Sequence, residues 1–318
     1  MKKRALIIGI SGQVGSLMAN FLLKKKYIIF GVSRKKKNLD LSNLVKLKIN
    51  DDIKVVSLDV ENYQHLLRLI NTIKPQEIYQ FSGVSSIRRA QIQPLKTLKY
   101  ILNITYNLLQ ICKKKKKTKI YFAGTGQIFD FQNKKISEDS KVFPRNIYSY
   151  AKNISLNLVS RYRNLYHLKV CTGITFNHES YNRPEDFVTM KIIKDALRVK
   201  NLKKHKVLLH GNVNSYCDWG WAPEYVEAMW KMLQGKKFND YVIATGKTYS
   251  VYDFIKIIFK KLKLDLKKNL KVRYKDYGID KKFIVSTNKI NREMKWKAKT
   301  YMKKIAILML KNQYERIN

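Results

Sequence analysis

The chain is short of prolines, cysteines, acids and long apolar runs, and each shortage excludes something. Its 318 residues include 5 Pro and 13 Gly, too few for a collagenous chain or one built on flexible linkers. Three cysteines, Cys112, Cys171 and Cys217, stand far apart with no Cys-x-x-Cys pair. Neither a disulfide framework nor a zinc site is expected, and a reducing cytoplasm fits. The histidines, His65, His167, His178, His205 and His210, show no metal-ligand spacing either, so no metal is expected. No apolar run approaches the roughly 18 residues that cross a bilayer, and residues 1–9 are too poor in apolar side chains for a leader. A soluble, unexported, cytoplasmic chain with no membrane partner is the expectation.

Acids are scarce as well: 23 Asp and Glu stand against 65 Lys and Arg, a formal net charge of +42. Such an excess first suggests a polyanion, because Lys and Arg bind phosphate backbones by releasing counterions. The distribution points elsewhere. Lysine runs at 24–26, 35–37 and 113–117 are spread over the chain, without the aromatic-interleaved reading motif of a nucleic-acid binder. That dispersal fits a genome biased toward lysine, asparagine and isoleucine codons, with the lysines solvated. Nucleic acid is not the expected partner, although a positive field would help recruit an anionic substrate.

A sizeable core is present. Hydrophobic residues make up 45%, with 20 Tyr and 13 Phe, which excludes intrinsic disorder. At roughly 150 residues per domain, the length suits two domains or one large α/β unit with an appended lobe. Apolar runs at 4–10, 27–32, 54–58, 78–81, 120–123 and 170–176 read as strands. Helical spacing over 16–23, 63–73, 97–112 and 149–166 separates them. This alternation implies a parallel sheet covered by helices on both faces. Beyond residue 178 the regularity weakens, with helices expected at 187–199, 222–233 and 252–262 and strands at 206–210 and 241–244.

Directly after the first strand comes Gly9-Ile10-Ser11-Gly12-Gln13-Val14-Gly15. Glycine permits the tight turn, lets backbone approach a pyrophosphate, and allows close helix–strand packing. The helix that follows offers its unpaired N–H groups to the anion. Such a motif alone is weak evidence. At this place in a βαβ pattern it indicates a dinucleotide site, with Gln13 and Val14 at the cofactor. The second strand ends in Ser33-Arg34, where an acid would bind the NAD ribose; a basic residue there suits NADP but carries little information in a lysine-rich chain. Asp59, after the third strand, is placed to meet the adenine. The choice between NAD and NADP stays open on these residues.

The second motif is Tyr148-Ser149-Tyr150-Ala151-Lys152. Four-residue spacing on a helix puts Tyr148 and Lys152 on one face. An ammonium beside the phenol would favour phenolate, which can take a proton from a hydroxyl while hydride leaves the same carbon. The pair is common by chance. Following the fifth strand, with Thr125 at that strand's end to hold the same hydroxyl, it becomes a catalytic set.

With these residues the chain resembles an extended short-chain dehydrogenase/reductase, and within that superfamily the GDP-mannose 4,6-dehydratases. The matching stretches are residues 4–15 and 148–152, Phe176-Asn177-His178-Glu179-Ser180, 187–192, 218–230 and 241–246. They span nearly the whole chain, and the Asn-His-Glu-Ser and Asp-Trp-Gly blocks belong to the GDP-sugar branch. The resemblance implies a GDP-linked, mannose-type substrate with Asn177, Val188, Lys191, Gly211 and Asn212 near its diphosphate end. It also implies cofactor contacts from Val60, Phe81, Ser82 and Gly83, and substrate contacts from Ser85, Gln127, Glu179 and Cys217. Trp219, Trp221 and Trp230 read as core or wall residues.

Four departures matter. Where the dehydratases end the fifth strand in Ser-Thr-Ser-Glu, whose glutamate removes the C5 proton, this chain has Gly124-Thr125-Gly126-Gln127. An amide does not titrate near neutrality and cannot carry that proton; Glu138 and Glu179 are the nearest other carboxylates by motif. Cys217 replaces an arginine that in the dehydratases reaches the substrate diphosphate. Their Arg-Pro-x-Glu block is absent near residues 280–286. The loop after Arg34 is short, which argues against the tetramer of some dehydratases and for a homodimer. This altered set is similar to that of the GDP-manno-heptose 4-dehydrogenases of bacterial capsule synthesis, which oxidise C4 and stop, and which use NAD.

The expected architecture is therefore α/β: a Rossmann-type doubly wound parallel sheet with a smaller interleaved C-terminal substrate lobe. Residues 1–178 with 212–245 would form the dinucleotide-binding domain, and 179–211 with 246–318 the GDP-sugar lobe. The expected activity is NAD-dependent oxidation of a GDP-linked manno-sugar at C4, heptose rather than hexose, with 4,6-dehydration as the alternative. Tyr148 would be the base, Lys152 would lower its pKa and hold the ribose, and Thr125 would orient the hydroxyl.

Overall fold

A computed structural model describes residues 2–33, 40–84, 87–202, 206–273, 279 and 281–315. Arg34 and Ser85, both candidate contacts, lie outside the described residues, as do 35–37, His205 and Asp280. The first part alternates strictly: β1 (Arg4–Ile8), α1 (Gln13–Lys24), β2 (Ile28–Ser33), α2 (Ser42–Lys46), β3 (Ile53–Ser57), α3 (Tyr63–Ile73) and β4 (Glu77–Gln80). Next come α4 (Ile87–Ile92), α5 (Pro94–Lys114), β5 (Lys119–Ala123), β6 (Lys135–Ile136), α6 (Ile147–Tyr166) and β7 (Val170–Thr175). Then follow β8 (Asn177–Glu179), α7 (Val188–Leu202), β9 (Val207–His210), β10 (Tyr216–Trp221), α8 (Ala222–Gln234), β11 (Tyr241–Ile243), β12 (Thr248–Ser250) and α9 (Val251–Leu262). Helices Asn288–Met294 and Met302–Tyr314 lie near the end. Among the described residues no helix is long and apolar enough to cross a membrane.

A seven-stranded sheet runs β11-β7-β5-β4-β1-β2-β3, with every neighbouring pair parallel. Its two faces follow from period-two alternation. Ala5 and Ile7 of β1 point into a core with α1 and α8, whereas Leu6 and Ile8 point into one with α3, α5 and α6. The chain winds outward from β1 to β3, then restarts at β4 on β1's other side. Ligands of doubly wound sheets bind at the carboxyl ends of the strands flanking such a reversal.

The lobe has its own core, where α7, α9 and Met302–Tyr314 enclose Trp219 and Trp221. Its three-stranded sheet, β12-β10-β8, takes strands from both sides of the boundaries drawn at 178, 211/212 and 245. Trp219 and Trp221 are core residues, as expected, while Trp230 is half-buried under Lys25, whose Nζ lies 4.0 Å from its ring centroid. The terminal helix and the strands β8 and β10 had no counterpart in the periodicity read from the sequence.

Helix α6, which carries the Tyr-Lys pair, is fixed at both ends. Asn146 accepts from the Ser149 N–H at 3.0 Å, and the Ser149 hydroxyl accepts from the Asn146 N–H at 3.2 Å, a capping box. In its last turn Arg163 makes a two-pronged bond to Asp240, 2.9 and 2.7 Å, and Asp240 also accepts from Thr172 N at 2.7 Å. Both side chains are largely buried. Asp240→Ala leaves the guanidinium without its counter-charge and frees the β7 amide, so it should destabilise the protein by about 3 kcal/mol. Chemical denaturation checks this; a loss below about 1 kcal/mol, the worth of an exposed pair, would show that the clamp is not structural.

Candidate active site

The glycine turn comes first along the cleft. Gly9 has φ of 91°, and a Cβ there would lie 2.8 Å from Ser82 N. A Cβ on Gly15 would lie 2.2 Å from the Gly9 carbonyl oxygen. Both glycines are thus demanded by backbone packing. Gly12 differs: φ is −74°, and its Cβ would meet only Gly9 O, at 3.4 Å. Space over Gly12 is open, as a pyrophosphate resting on the backbone requires. Helix α1 begins there with no side-chain cap and no acid in its first turn, leaving its N–H groups available to an anion. Buried Gln13 ties this turn to β8 by donating to the His178 carbonyl at 3.0 Å.

A cleft of about 490 Å³ continues from this turn over the carboxyl ends of β1, β4, β5 and β7. The expected residues Gly9, Gly12, Gln13, Val14, Gly15, Phe81, Gly83, Thr125, Gln127, Tyr148, Lys152 and Asn177 all line it. Ser82 is buried beneath, its hydroxyl bonded to that of Tyr100. Ser33 ends β2 half-buried, Val60 is buried, and exposed Asp59 caps the Glu61 N–H at 3.0 Å; none of the three lines the cleft. Nor do Glu179, Val188, Lys191, Gly211, Asn212 and Cys217. A larger, shallow groove of about 980 Å³ lies among lysines 2, 3 and 24–26 at the opposite strand ends, away from every motif.

Thr125 and Tyr148 meet as expected: the Thr125 side chain hydrogen-bonds the phenol, and its Oγ1 also accepts from Gln127 N at 3.3 Å. The electrostatics depart from the sequence expectation. Burial pushes the Tyr148 phenol above its ordinary value, and the groups that pull it back are Thr125 and the Arg183 charge, not Lys152. Lys152 is itself pushed down to about 8 by burial. Its ammonium is turned to the Ala123 carbonyl, 2.7 Å away, which holds the nitrogen at the end of β5. In a desolvated cleft both the phenolate and the ammonium are disfavoured by the same cause.

No carboxylate lines the cleft among the described residues. Both alternatives weighed for the missing glutamate are committed elsewhere. Glu138 accepts from the Val242 N–H at 2.9 Å, behind the cleft on the β11 side. Glu179, 1% exposed, pairs with Arg183 at 3.1 Å and accepts from the Thr189 hydroxyl at 2.6 Å. His178 is held neutral, its pKa pushed down to about 4 by burial and by Arg183, with Nδ1 2.8 Å from the Phe176 carbonyl. No metal-ligating cluster occurs among the described residues.

Sequence reasoning missed Arg88, Arg183 and Phe187 in this wall. Arg183 sits in the loop between two family-like blocks, and that position was the available signal. The two loop glycines separate cleanly by experiment. Gly15→Ala should cost about 3 kcal/mol of stability, since only backbone could move. Gly12→Ala should melt almost as the parent does yet lose dinucleotide affinity. Thermal unfolding with a cofactor titration checks both; undiminished affinity in folded Gly12→Ala would remove the turn from the binding site.

The profile of the family described as GDP-mannose 4,6 dehydratase matches residues 6–309. The GDP-mannose 4,6 dehydratase of Drosophila melanogaster is 33% identical, over 87% of this chain and 71% of its own length. The first such enzyme of Arabidopsis thaliana is 31% identical, over 99% and 90% respectively. Among solved structures, a dTDP-glucose 4,6-dehydratase of Bacillus anthracis in complex with NAD superposes with a TM-score of 0.86 over 99% of this chain and 97% of that one, at 18% identity. A UDP-glucose 4-epimerase of Thermotoga maritima gives 0.87 over 99% and 100%, at 17%. The fold is thus that of the extended short-chain dehydrogenase/reductases, and the chain belongs to the GDP-mannose 4,6-dehydratase family.

Proposed function

We propose that this protein is an NAD-dependent enzyme that oxidises a GDP-linked manno-configured sugar at C4 and releases the 4-keto sugar without dehydration. The observation that carries this reading is a cleft lined by Arg88, Lys152 and Arg183 but by no described carboxylate, with an amide, Gln127, at the end of β5. Tyr148 takes the C4 hydroxyl proton, and Thr125 fixes that hydroxyl against it. Lys152, anchored on Ala123 O, is in reach of a ribose on the same wall. A dinucleotide held with its pyrophosphate at the glycine turn would supply, in its nicotinamide, the acceptor for the C4 hydride. The 4-ketone acidifies the C5 proton, yet Gln127 cannot accept it, and Glu179 is held by Arg183 and Thr189. Preference for heptose over hexose rests on the likeness of this altered set to the 4-dehydrogenases.

The names of the curated relatives favour a second reading, 4,6-dehydration, which needs a proton acceptor other than Gln127. A homodimer remains the expected assembly. The outer face of α5 and α6, where Tyr106, Tyr150 and Ile154 are exposed, is the candidate interface.

Mass spectrometry of the product from GDP-mannose and GDP-manno-heptose separates the readings. Loss of two hydrogens is expected; loss of water from either substrate would establish dehydration instead. A second outcome concerns pH. Oxidation needs the Tyr148 phenolate, so kcat/KM should rise with pH. Thr125→Val removes a hydrogen bond that lowers the phenol's pKa, and the rising limb should therefore move to higher pH. A lower plateau with an unmoved limb would limit Thr125 to orienting substrate.

A further inference from the structure

Most of the positive charge plays no part in the chemistry proposed above. Scattered along the sequence, the lysines are gathered in space by the topology. In an all-parallel sheet every strand is entered from the same end, so the entrances share one face of the molecule, opposite the cleft. Each of the seven entrances carries lysine: residues 2–3 before β1, 25–26 before β2, 48 before β3, 74 before β4, 115–117 before β5, 169 before β7 and 236–237 before β11. That makes twelve lysines, all but Lys115 exposed, and no arginine. The same segments hold three acids. Asp240 is clamped to Arg163, and Asp51 and Asp52 stand at β3, on the edge of the sheet. Among the described residues only Lys3 of the twelve has a carboxylate within ion-pair distance, the buried Glu77 at 3.7 Å.

Composition does not account for this. The segments that leave β1, β3, β4 and β5 at the other end, residues 9–12, 58–62, 81–84 and 124–127, hold no lysine and two acids. Helix dipoles favour cations in a last helical turn, but 116–117 and 236–237 lie beyond the helices that precede them. Uncompensated lysines this close repel one another, and an anionic partner relieves that repulsion. The face also carries apolar points: Ile28, Val45 and Leu165 are 39%, 56% and 55% exposed. The groove of about 980 Å³ among lysines 2, 3 and 24–26 is lined by Tyr27 and Trp230. Lys25 covers the Trp230 ring at 4.0 Å, and the indole N–H donates to the Tyr27 hydroxyl at 3.1 Å. Lys113 covers Tyr166 in the same way, at 4.1 Å.

We propose that this end of the sheet docks the protein on an anionic lipid bilayer as a peripheral contact. The shape of the charge favours a bilayer over a nucleic acid. Lysine stands at all seven strands, about 30 Å across at roughly 4.8 Å per strand. The connections between helix and strand are three to six residues long, so none projects far. A two-dimensional field of ammonium groups, with apolar tips and lysine-covered rings, matches a headgroup plane. A nucleic-acid strand asks for a stripe of charge and for arginine forks, and these segments hold no arginine. Docking needs no spanning helix, and it qualifies the expectation of a chain with no membrane partner. Because the cleft opens at the other strand ends, the docked protein keeps it facing away from the bilayer.

Co-sedimentation of the full-length protein with phosphatidylcholine vesicles, with and without one third phosphatidylglycerol, tests this. Binding is expected only to the anionic vesicles and should weaken as salt is raised. The triple variant Lys115→Gln, Lys116→Gln, Lys117→Gln should bind about 100-fold more weakly, and Lys236→Gln with Lys237→Gln about 30-fold, roughly fivefold per lysine. Lys260→Gln, Lys261→Gln, Lys268→Gln removes the same charge from the lobe and should bind nearly as the parent does. Docked protein should take up NAD as free protein does. Equal losses from the lobe and the strand-entrance variants would leave net charge alone as the cause and sink the proposal. Binding to phosphatidylcholine alone, or to neither vesicle, would overturn it outright. Tighter binding to a single-stranded oligonucleotide, lost in the same variants, would replace the bilayer by a nucleic acid. Loss of NAD uptake on docking would overturn the proposed orientation.

Discussion

Everything in the cleft is referred to one backbone contact, the approach of α1 to the turn after β1. The Gly9 carbonyl oxygen lies where a Gly15 side chain would begin, 2.2 Å from the Cβ position. Only with glycine at both positions can the helix start so close to the sheet and point its first N–H groups over the β1/β4 reversal. Gln13 then spans from that turn to the His178 carbonyl. The turn that would receive a phosphate and the strand that borders the substrate side are therefore one rigid piece. Tyr148 and Lys152 are set against it from the opposite wall by the capping box of α6 and by the Arg163–Asp240 clamp.

A second constraint is electrical. The cleft collects three cationic side chains and no described carboxylate, in a chain where bases outnumber acids nearly three to one. Composition alone would make any cleft basic, so the excess is weak evidence by itself. What carries weight is where the few acids went. Glu138 is half-buried and Glu179 buried, and each is used to hold structure: one on the Val242 amide, the other on Arg183. A carboxylate committed to an arginine and a hydroxyl is poorly placed to act as a mobile proton acceptor, because taking a proton would sacrifice the ion pair. Chemistry that ends at a ketone needs no such acceptor; chemistry that goes on to eliminate water does.

Legible in the sequence were the parallel sheet, the helices between its strands and the residues that line the cleft from β1, β4 and β5. These are long or strongly patterned: α3 coincides with the stretch read by periodicity, and the alternation of β1 is that of a strand buried on both faces. Not legible were β8, β10 and the helix Met302–Tyr314. Strands of three to six residues built around Trp219 and Trp221 carry no period, and their pairing is set by the lobe core. The contributions of α4 and of the β8–α7 loop were missed for the same reason. Arg183 is one of 65 basic residues in the sequence, and only the fold sets it between Phe187 and Glu179. Asp59 stands after β3 as its place in the sequence suggests, and its carboxylate accepts from the Glu61 N–H, a local turn contact that periodicity does not show.

The state of the Tyr-Lys pair follows from desolvation. The motif suggested an ammonium that stabilises a phenolate, but burial acts on both partners and drives each toward neutrality. A lone phenolate or a lone ammonium in such a cleft is penalised, whereas the two formed together offset part of one another's cost. Lys152 is turned to a backbone carbonyl, and Thr125 with Arg183 supplies the pull on Tyr148. Of these two, Thr125 acts by a direct hydrogen bond to the phenol and Arg183 through its charge. The hydroxyl of Thr125 is thus the one neutral group that draws the phenol's pKa back down against burial.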